Sequence, residues 1–265
     1  MKATIIGAGN IGMALAEGLI RAKVCRKNEI TVTKRNAASL AVHTDSGYKT
    51  TTNNLEGIKN AEVIFICVLP QQLDEVLEDL KSGVNIKEQL FVSVVTGAHT
   101  NVFRQILGND LRIIRAMPNT AMKVGESMTC LANANATEKD ITLVQNIFNT
   151  MGQSLLINED MMSAATALCA CGIAFFLRTI RAASQGGVEI GFHAHDALQI
   201  AVQTALGAAK LLIANKTHPE QEIDKVTSPK GCTIAGLNEM EHQGLSSALI
   251  KGIKLSANIA NNLYK

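Results

Sequence analysis

Gly7, Gly9 and Gly12 in "GAGNIG" stand in GxGxxG spacing near the start of the chain. That spacing lets a strand turn directly into a helix whose first backbone N–H groups are free to hold an anion. The first glycine permits the tight turn, the second lets backbone approach a pyrophosphate, and the third lets helix and strand pack closely. The positive end of the helix dipole then faces the phosphates. The spacing alone is common, so its context carries the argument: the β-branched run "ATII" precedes it and a helical pattern from about Ile11 to Ala22 follows.

About twenty residues past the glycines, a dinucleotide fold places the group that reads the ribose 2′ position. Here the chain reads "TVTKRN". Thr33, Lys34 and Arg35 cannot accept a hydrogen bond as a carboxylate does, and two cations favour a 2′-phosphate. The expected cofactor is NADP, with NADPH preferred and NADH possible; a solvated basic turn that tolerates either nucleotide is the other reading.

A second candidate anion site lies far downstream in "VTSPKGCTIAGL". Ser228 or Pro229 breaks the preceding segment, and Gly231 lets the backbone turn. The N–H groups of Gly231, Cys232 and Thr233 then open a helix running to about Met240. Such a mouth suits a small carboxylate, and Thr233 adds a hydroxyl. Ordinary N-capping by Ser228 or Thr233 explains the same residues.

Positioning these sites requires a sheet. Short apolar strands, "EITVT", "EVIFICV", "LFVSVV" and "RIIRA", alternate with helical patterns, as in a parallel sheet covered on both faces. "SMTCLA", a helix around Lys139 to Met151 and "SLLI" extend this region to Ile157. Pro70 in "LPQQ" and Pro118, Asn119 and Thr120 in "RAMPNT" mark strand ends, at the edge where such sheets bind ligands. Asn119 is either a cofactor partner or the cap of the next turn. From Met161 onward the spacing is helical, and the helices "AATALCACGIAFFLRTIRAAS" and "ALQIAVQTALGAAKLLIA" are nearly apolar all round. The expected fold class is α/β, a Rossmann-like doubly wound parallel sheet over residues 1–157, followed by an all-α domain over residues 158–265. The apolar helices are expected to pack against a second copy of the chain.

With 47% hydrophobic and 18% charged residues the chain reads as an ordinary globular protein. A formal net charge of +2 and 3% aromatics argue against nucleic acid as a partner. Six cysteines without a CxxC pair suggest neither a zinc site nor a disulfide framework, and a cytoplasmic location fits them. No run of 18 apolar residues free of charge appears, so no membrane span is expected. His193 and His195 before Asp196 have a spacing that can hold metal, but they read as a helix entry, and no metal is expected.

Taken together, "IGAGNIGMALAEGL", "VLPQ", "RAMPNTAMKVGE", "ALCACGIAFF", "AVQTALGAAKLL" and "VTSPKGCTIAGLNEME" resemble the pyrroline-5-carboxylate reductase family over nearly the whole chain. The resemblance implies an NADP-binding Rossmann domain and a helical domain that interlocks into homodimers, in some cases built into larger rings. It implies reduction of the cyclic imine pyrroline-5-carboxylate to proline, with hydride transfer to the C=N bond, as a step of proline biosynthesis. Carried over, Gly7, Gly9, Asn10 and Ile11 sit on the pyrophosphate, and Thr33, Lys34 and Arg35 lie near the 2′-phosphate. Asn54, Val68, Pro70 and Asn119 line the rest of the groove. Ser228, Gly231, Cys232 and Thr233 hold the substrate, with Thr233 as the catalytic hydrogen-bond partner of the ring nitrogen.

The chain departs from the family pattern at Cys169, Cys171 and Ile173, where Ser, Ser and Pro are usual. It also departs at Lys230 and Cys232, where Gly and Thr are commoner, and at Leu69 in place of Lys. Two other readings follow from single features. Lys254 and Asn258 have the spacing of a β-hydroxyacid dehydrogenase pair, and the added thiols suit a non-catalytic NADP-binding redox sensor.

Overall fold

The structure, a computed structural model, describes residues 1–264. Its strands are β1 (Ala3–Ile6), β2 (Ile30–Thr33), β3 (Lys49–Thr51), β4 (Val63–Ile66), β5 (Leu90–Ser93), β6 (Arg112–Met117), β7 (Ser127–Ala134) and β8 (Gly152–Leu156). The helices among them are α1 (Asn10–Arg21), α2 (Ala41–Asp45), α3 (Asn54–Ile58), α4 (Leu73–Leu80), α5 (Thr100–Leu107) and α6 (Glu138–Asn149). A helical series follows: α7 (Met162–Ala165), a π-helical stretch (Thr166–Cys171), α8 (Gly172–Glu189), α9 (Ala194–Asn215), α10 (Pro219–Lys225), α11 (Cys232–His242) and α12 (Leu245–Ala260).

All eight strands form one sheet in the order β3-β2-β1-β4-β5-β6-β7-β8. β1 and β4 are buried along their whole lengths, as central parallel strands covered on both faces must be. α1 and α6 cover one face, with Leu15, Leu19, Val144 and Phe148 fully buried. α4 and α5 cover the other with Leu73, Leu77, Leu80 and Phe103. Successive turns of each helix thus deliver apolar side chains to the sheet. One pairing departs from the all-parallel expectation: β7 runs antiparallel to β6. The link from Pro118 to Glu126 is shorter than the dozen or so residues a parallel crossover needs. It ends instead in a tight turn at Gly125, φ 78°.

β6 is anchored by charge. The buried Arg115 guanidinium donates to Glu159 at 3.1 Å, and Glu159 also accepts from the Thr100 N–H at 2.7 Å and its hydroxyl at 2.6 Å. Burial pushes the Glu159 carboxyl up, but the Thr100 and Arg115 bonds outweigh it and hold the group below its ordinary value. Nearby, Arg112 forms a two-pronged contact with Asp140, which also closes the capping box of α6 with Thr137.

The chain divides into two compact units, Met1–Cys171 with the C-terminal stretch from Leu255, and Gly172–Lys254. This differs from the boundary expected after residue 157. The first helical turns belong to the first unit because Met162 and Ala165 pack with Met117, Cys130 and Ala132 of the sheet. The chain end returns there because Tyr264 bonds to Asp74 and packs on the α4 side of the core.

Within the second unit α8 and α9 pair closely, with Ala197 buried against Gly187. Large apolar side chains stay exposed, including Phe176 (64%), Ile190 (78%) and Ile213 (66%). The segments Glu159–Glu189 and Ala194–Asn215 are in fact long and apolar enough to cross a membrane by length and composition, which the count of uncharged runs did not anticipate. Exposed apolar surface of this extent is also what subunit interfaces carry.

Candidate functional site

Between β1 and β4 the chain direction across the sheet reverses, and the carboxyl ends of these strands open a crevice. A groove of ≈ 880 Å³ occupies it. Gly7, Gly9, Asn10, Ile11, Thr33, Lys34, Arg35, Asn54, Val68 and Pro70 all line it. Ten of the twelve cofactor residues read from the sequence are thus brought together on one unit. Gly12 and Asn119 are not part of that lining.

The glycine turn works differently from its simplest reading. The N–H groups of Gly7 and Ala8 both donate to the Thr33 carbonyl at 3.1 Å, and that of Gly9 to Gly7 O at 2.8 Å. These amides close the turn and are not available to a ligand. The donors left without an acceptor among the described residues belong to Asn10, Ile11 and Gly12, the first turn of α1. That turn carries no acidic residue and no side-chain cap, so the positive end of the helix is uncompensated. Gly7 has φ +102°, and a Cβ on it would lie 2.5 Å from Cys67 O. A Cβ on Gly12 would lie 2.2 Å from Gly7 O, so this residue supports the turn from beneath. Beside Gly9 nothing lies within 4 Å of the Cβ position, leaving open space for a ligand at the helix mouth.

At the end of β2, the buried Thr33 hydroxyl donates to Asn54 Oδ1 at 2.7 Å, and Asn54 donates on to Asp79 at 3.1 Å. Lys34 is half-buried, while the exposed Arg35 pairs with Glu75 at 3.5 Å. Glu75 and Asp79 were missed by sequence reading. Their four-residue spacing in "LDEVLEDL" puts them on one side of α4, but nothing local says that side faces the groove.

Asn119 is placed by its other reading. Its Oδ1 accepts from Ala121 N–H at 3.0 Å, capping the short 3-10 turn Thr120–Val124, and its Nδ2 donates to Cys169 O at 3.2 Å. The side chain is engaged within the protein, away from the groove.

On the second unit, Ser228, Gly231, Cys232 and Thr233 form the mouth of α11. Two local expectations change. The Gly231 N–H is taken up by Ser228 O at 2.9 Å, so of the three expected donors only Cys232 and Thr233 are left without an acceptor among the described residues. Gly231 has an ordinary φ of −75°, and the left-handed residue is Lys230, φ 59°. Gly231 sits in a close turn instead: its Cβ would come 2.5 Å from the rotatable Ser228 Oγ and 3.0 Å from Ser228 O. No acid sits in the first turn of α11, and the Thr233 hydroxyl has no partner among the described residues. Two amides and a hydroxyl at an uncompensated helix start are groups able to hold a small carboxylate.

His193 is the N-cap of α9 and His195 lies in its first turn, 3.4 Å from Asp196. Lys254 and Asn258 are exposed along α12 and do not line the groove. All six cysteines are free. The fold nevertheless brings Cys130 and Cys169, distant in sequence, to 3.4 Å between sulfurs.

Comparison with known proteins yields two family models: pyrroline-5-carboxylate reductase dimerisation over residues 159–263, and NADP oxidoreductase, coenzyme F420-dependent, over residues 2–97. Pyrroline-5-carboxylate reductase 1 of Dictyostelium discoideum is 48% identical over 98% of this chain, which spans only 49% of that relative's length. Pyrroline-5-carboxylate reductase 2 of the same organism is 44% identical, covering 96% of this chain and 90% of the relative. The crystal structure of Plasmodium falciparum pyrroline carboxylate reductase with NADP bound superposes with a TM-score of 0.90 over 100% of this chain and 98% of that one. At 23% identity that likeness speaks for the fold.

Proposed function

The chain belongs to the pyrroline-5-carboxylate reductase family, and from that premise we propose that it reduces pyrroline-5-carboxylate to proline with NADPH. The observation that carries this reading is the uncompensated mouth of α1, whose free N–H groups open onto the same groove as Lys34 and Arg35. A diphosphate and a 2′-phosphate are the anions such a groove accommodates.

Asn10 and Ile11 donate their amides to the diphosphate, and Lys34 and Arg35 neutralise the 2′-phosphate. Asn54, fixed between Thr33 and Asp79, presents a set orientation to the ribose side. Val68 and Pro70 form the apolar wall of the groove. When bound, NADPH supplies a hydride for the imine carbon.

At the second site the amides of Cys232 and Thr233, with Lys230 nearby, hold the substrate carboxylate. Ser228 and Gly231 shape the turn that presents them. The Thr233 hydroxyl accepts a hydrogen bond from the protonated ring nitrogen and orients it. A protonated imine is already electrophilic, so the chain need supply only position and electrostatics. We assign the helical region to a homodimer, in line with its dimerisation family model, with a larger ring of dimers as the further step. The reducing cytoplasm is the compartment that suits the six free thiols.

The test is NADPH oxidation by the purified protein with pyrroline-5-carboxylate and, separately, with its six-membered homologue. Turnover of the five-membered imine is expected, and turnover of neither would overturn the reading. Thr233→Ala should lower kcat by about 10–100-fold, the worth of one hydrogen bond to a charged group, with NADPH affinity held. Equal loss of both would contradict the role given to Thr233.

A further inference from the structure

We propose that Cys130 and Cys169 form a redox-responsive pair that a hydroperoxide converts to a reversible intramolecular disulfide. Cys130 lies on β7 and Cys169 on the π-helical stretch above it, with sulfurs 3.4 Å apart. A disulfide bond measures about 2.05 Å, so closing it takes an approach of about 1.4 Å. The surroundings can yield by that much. A π-helical turn is a wide, locally irregular segment, and the pair sits among Met117, Ala132, Met162 and Ala165, small or pliable side chains without charge.

The two thiols have unequal parts. Cys130 is buried and Cys169 half-buried, so Cys169 is the one a small oxidant reaches. The hydrogen bond from Cys130 pulls the Cys169 thiol down to about 7 against the opposing effect of burial, while the same contact and burial push Cys130 up. The Cys169 thiolate attacks the peroxide O–O bond, giving a sulfenic acid and releasing hydroxide. The Cys130 sulfur then attacks the sulfenic sulfur. The S–O bond breaks, the S–S bond forms, and the departing hydroxide takes the Cys130 proton as water. Overall two thiols are oxidised by two electrons and one hydrogen peroxide becomes two waters.

The remaining cysteines are placed otherwise. Cys67 is pushed up by burial, Cys25 is pushed up to about 11 by burial and donates to Met1 O, and Cys232 belongs to the second unit. Cys171 shares the π-helical stretch, and among the described residues it forms no hydrogen bond with another sulfur. The bond has a structural consequence as well. The Cys169 carbonyl accepts from Asn119, so oxidation ties β7 to the segment that holds the turn after β6.

The test exposes the full-length protein to a slight excess of hydrogen peroxide, alkylates it under denaturing conditions and maps its peptides. The expected result is loss of two of the six free thiols, a mass decrease of about 2 Da, and a cross-linked peptide joining Cys130 to Cys169. Dithiothreitol should reverse all three. Cys171→Ser should keep the cross-link and Cys169→Ser should lose it. A cross-link mapped to another pair would overturn the proposal, as would a Cys169 sulfinic acid beside a free Cys130. The wild-type map decides the matter even where a variant folds poorly.

Discussion

Two glycines three residues apart should respond in opposite ways to the same added methyl group. In Gly12→Ala the new Cβ would stand 2.2 Å from the Gly7 carbonyl oxygen and 2.9 Å from the Ile5 side chain. Real Cβ atoms essentially never come closer than 3.0 Å, so α1 and the turn must separate by about 1 Å. The worst contact is with a backbone oxygen that cannot rotate aside, which puts the cost at the top of, or above, the 1–3 kcal/mol range for overpacking. The better helix propensity of alanine returns about 1 kcal/mol. A net loss of about 2–3 kcal/mol lowers Tm by roughly 4–12 °C in a chain of this size. In Gly9→Ala the methyl meets nothing within 4 Å, and the backbone at φ −93° accepts any residue. Stability should change by at most about 1 kcal/mol, the usual scale of an N-cap replacement. The methyl does take up open space beside the mouth of α1, so NADPH affinity should fall at least about tenfold, or 1.4 kcal/mol. Thermal unfolding of the ligand-free proteins and NADPH titration by fluorescence separate the two effects. If Gly9→Ala bound NADPH as tightly as the wild type while Gly12→Ala melted no lower, the account of the turn would be refuted.

Replacing both Lys34 and Arg35 by Ala should raise KM for NADPH on the order of tenfold and leave KM for NADH nearly unchanged. Similar shifts for both nucleotides would remove the 2′-phosphate role. Lys230→Gly should raise the melting temperature, because Lys230 holds φ 59° and a non-glycine residue there carries about 1 kcal/mol or more of strain; a lower Tm would show that the lysine side chain outweighs it. Glu159→Gln strands the buried Arg115 charge and should cost about 3–5 kcal/mol in chemical denaturation. Because the Glu159 carboxyl is held below its ordinary value, its stabilisation is complete above the unfolded-state value of about 4.3 and is lost as pH falls through the folded one. Wild type should therefore lose stability on acidification below about pH 4 more steeply than the Gln variant, and parallel slopes would contradict the assignment.

Much of this protein could be read along the chain because local rules act on neighbours in sequence. "ATII" followed by "GAGNIG" is a strand turning into a helix whatever lies elsewhere, and the sheet strands other than β3 fall on the apolar runs read as strands. The short β3 and α3 went unread, since three polar strand residues, Lys49–Thr51, carry no alternation. Lys34 and Arg35 were legible because the end of β2 lies at a fixed remove from the glycines. Distance in sequence hid the rest. Which amides stay free at the glycine turn depends on Thr33 offering its carbonyl from the neighbouring strand. Whether Asn119 reads a ligand or caps a turn depends on Cys169, fifty residues away. The meeting of Cys130 with Cys169 and of Arg115 with Glu159 has no local signal at all. Sequence sets the residues a site can use through propensity and spacing. Only packing decides which hydrogen-bonding groups are already taken, because each amide and carbonyl satisfied within the fold is lost to a ligand.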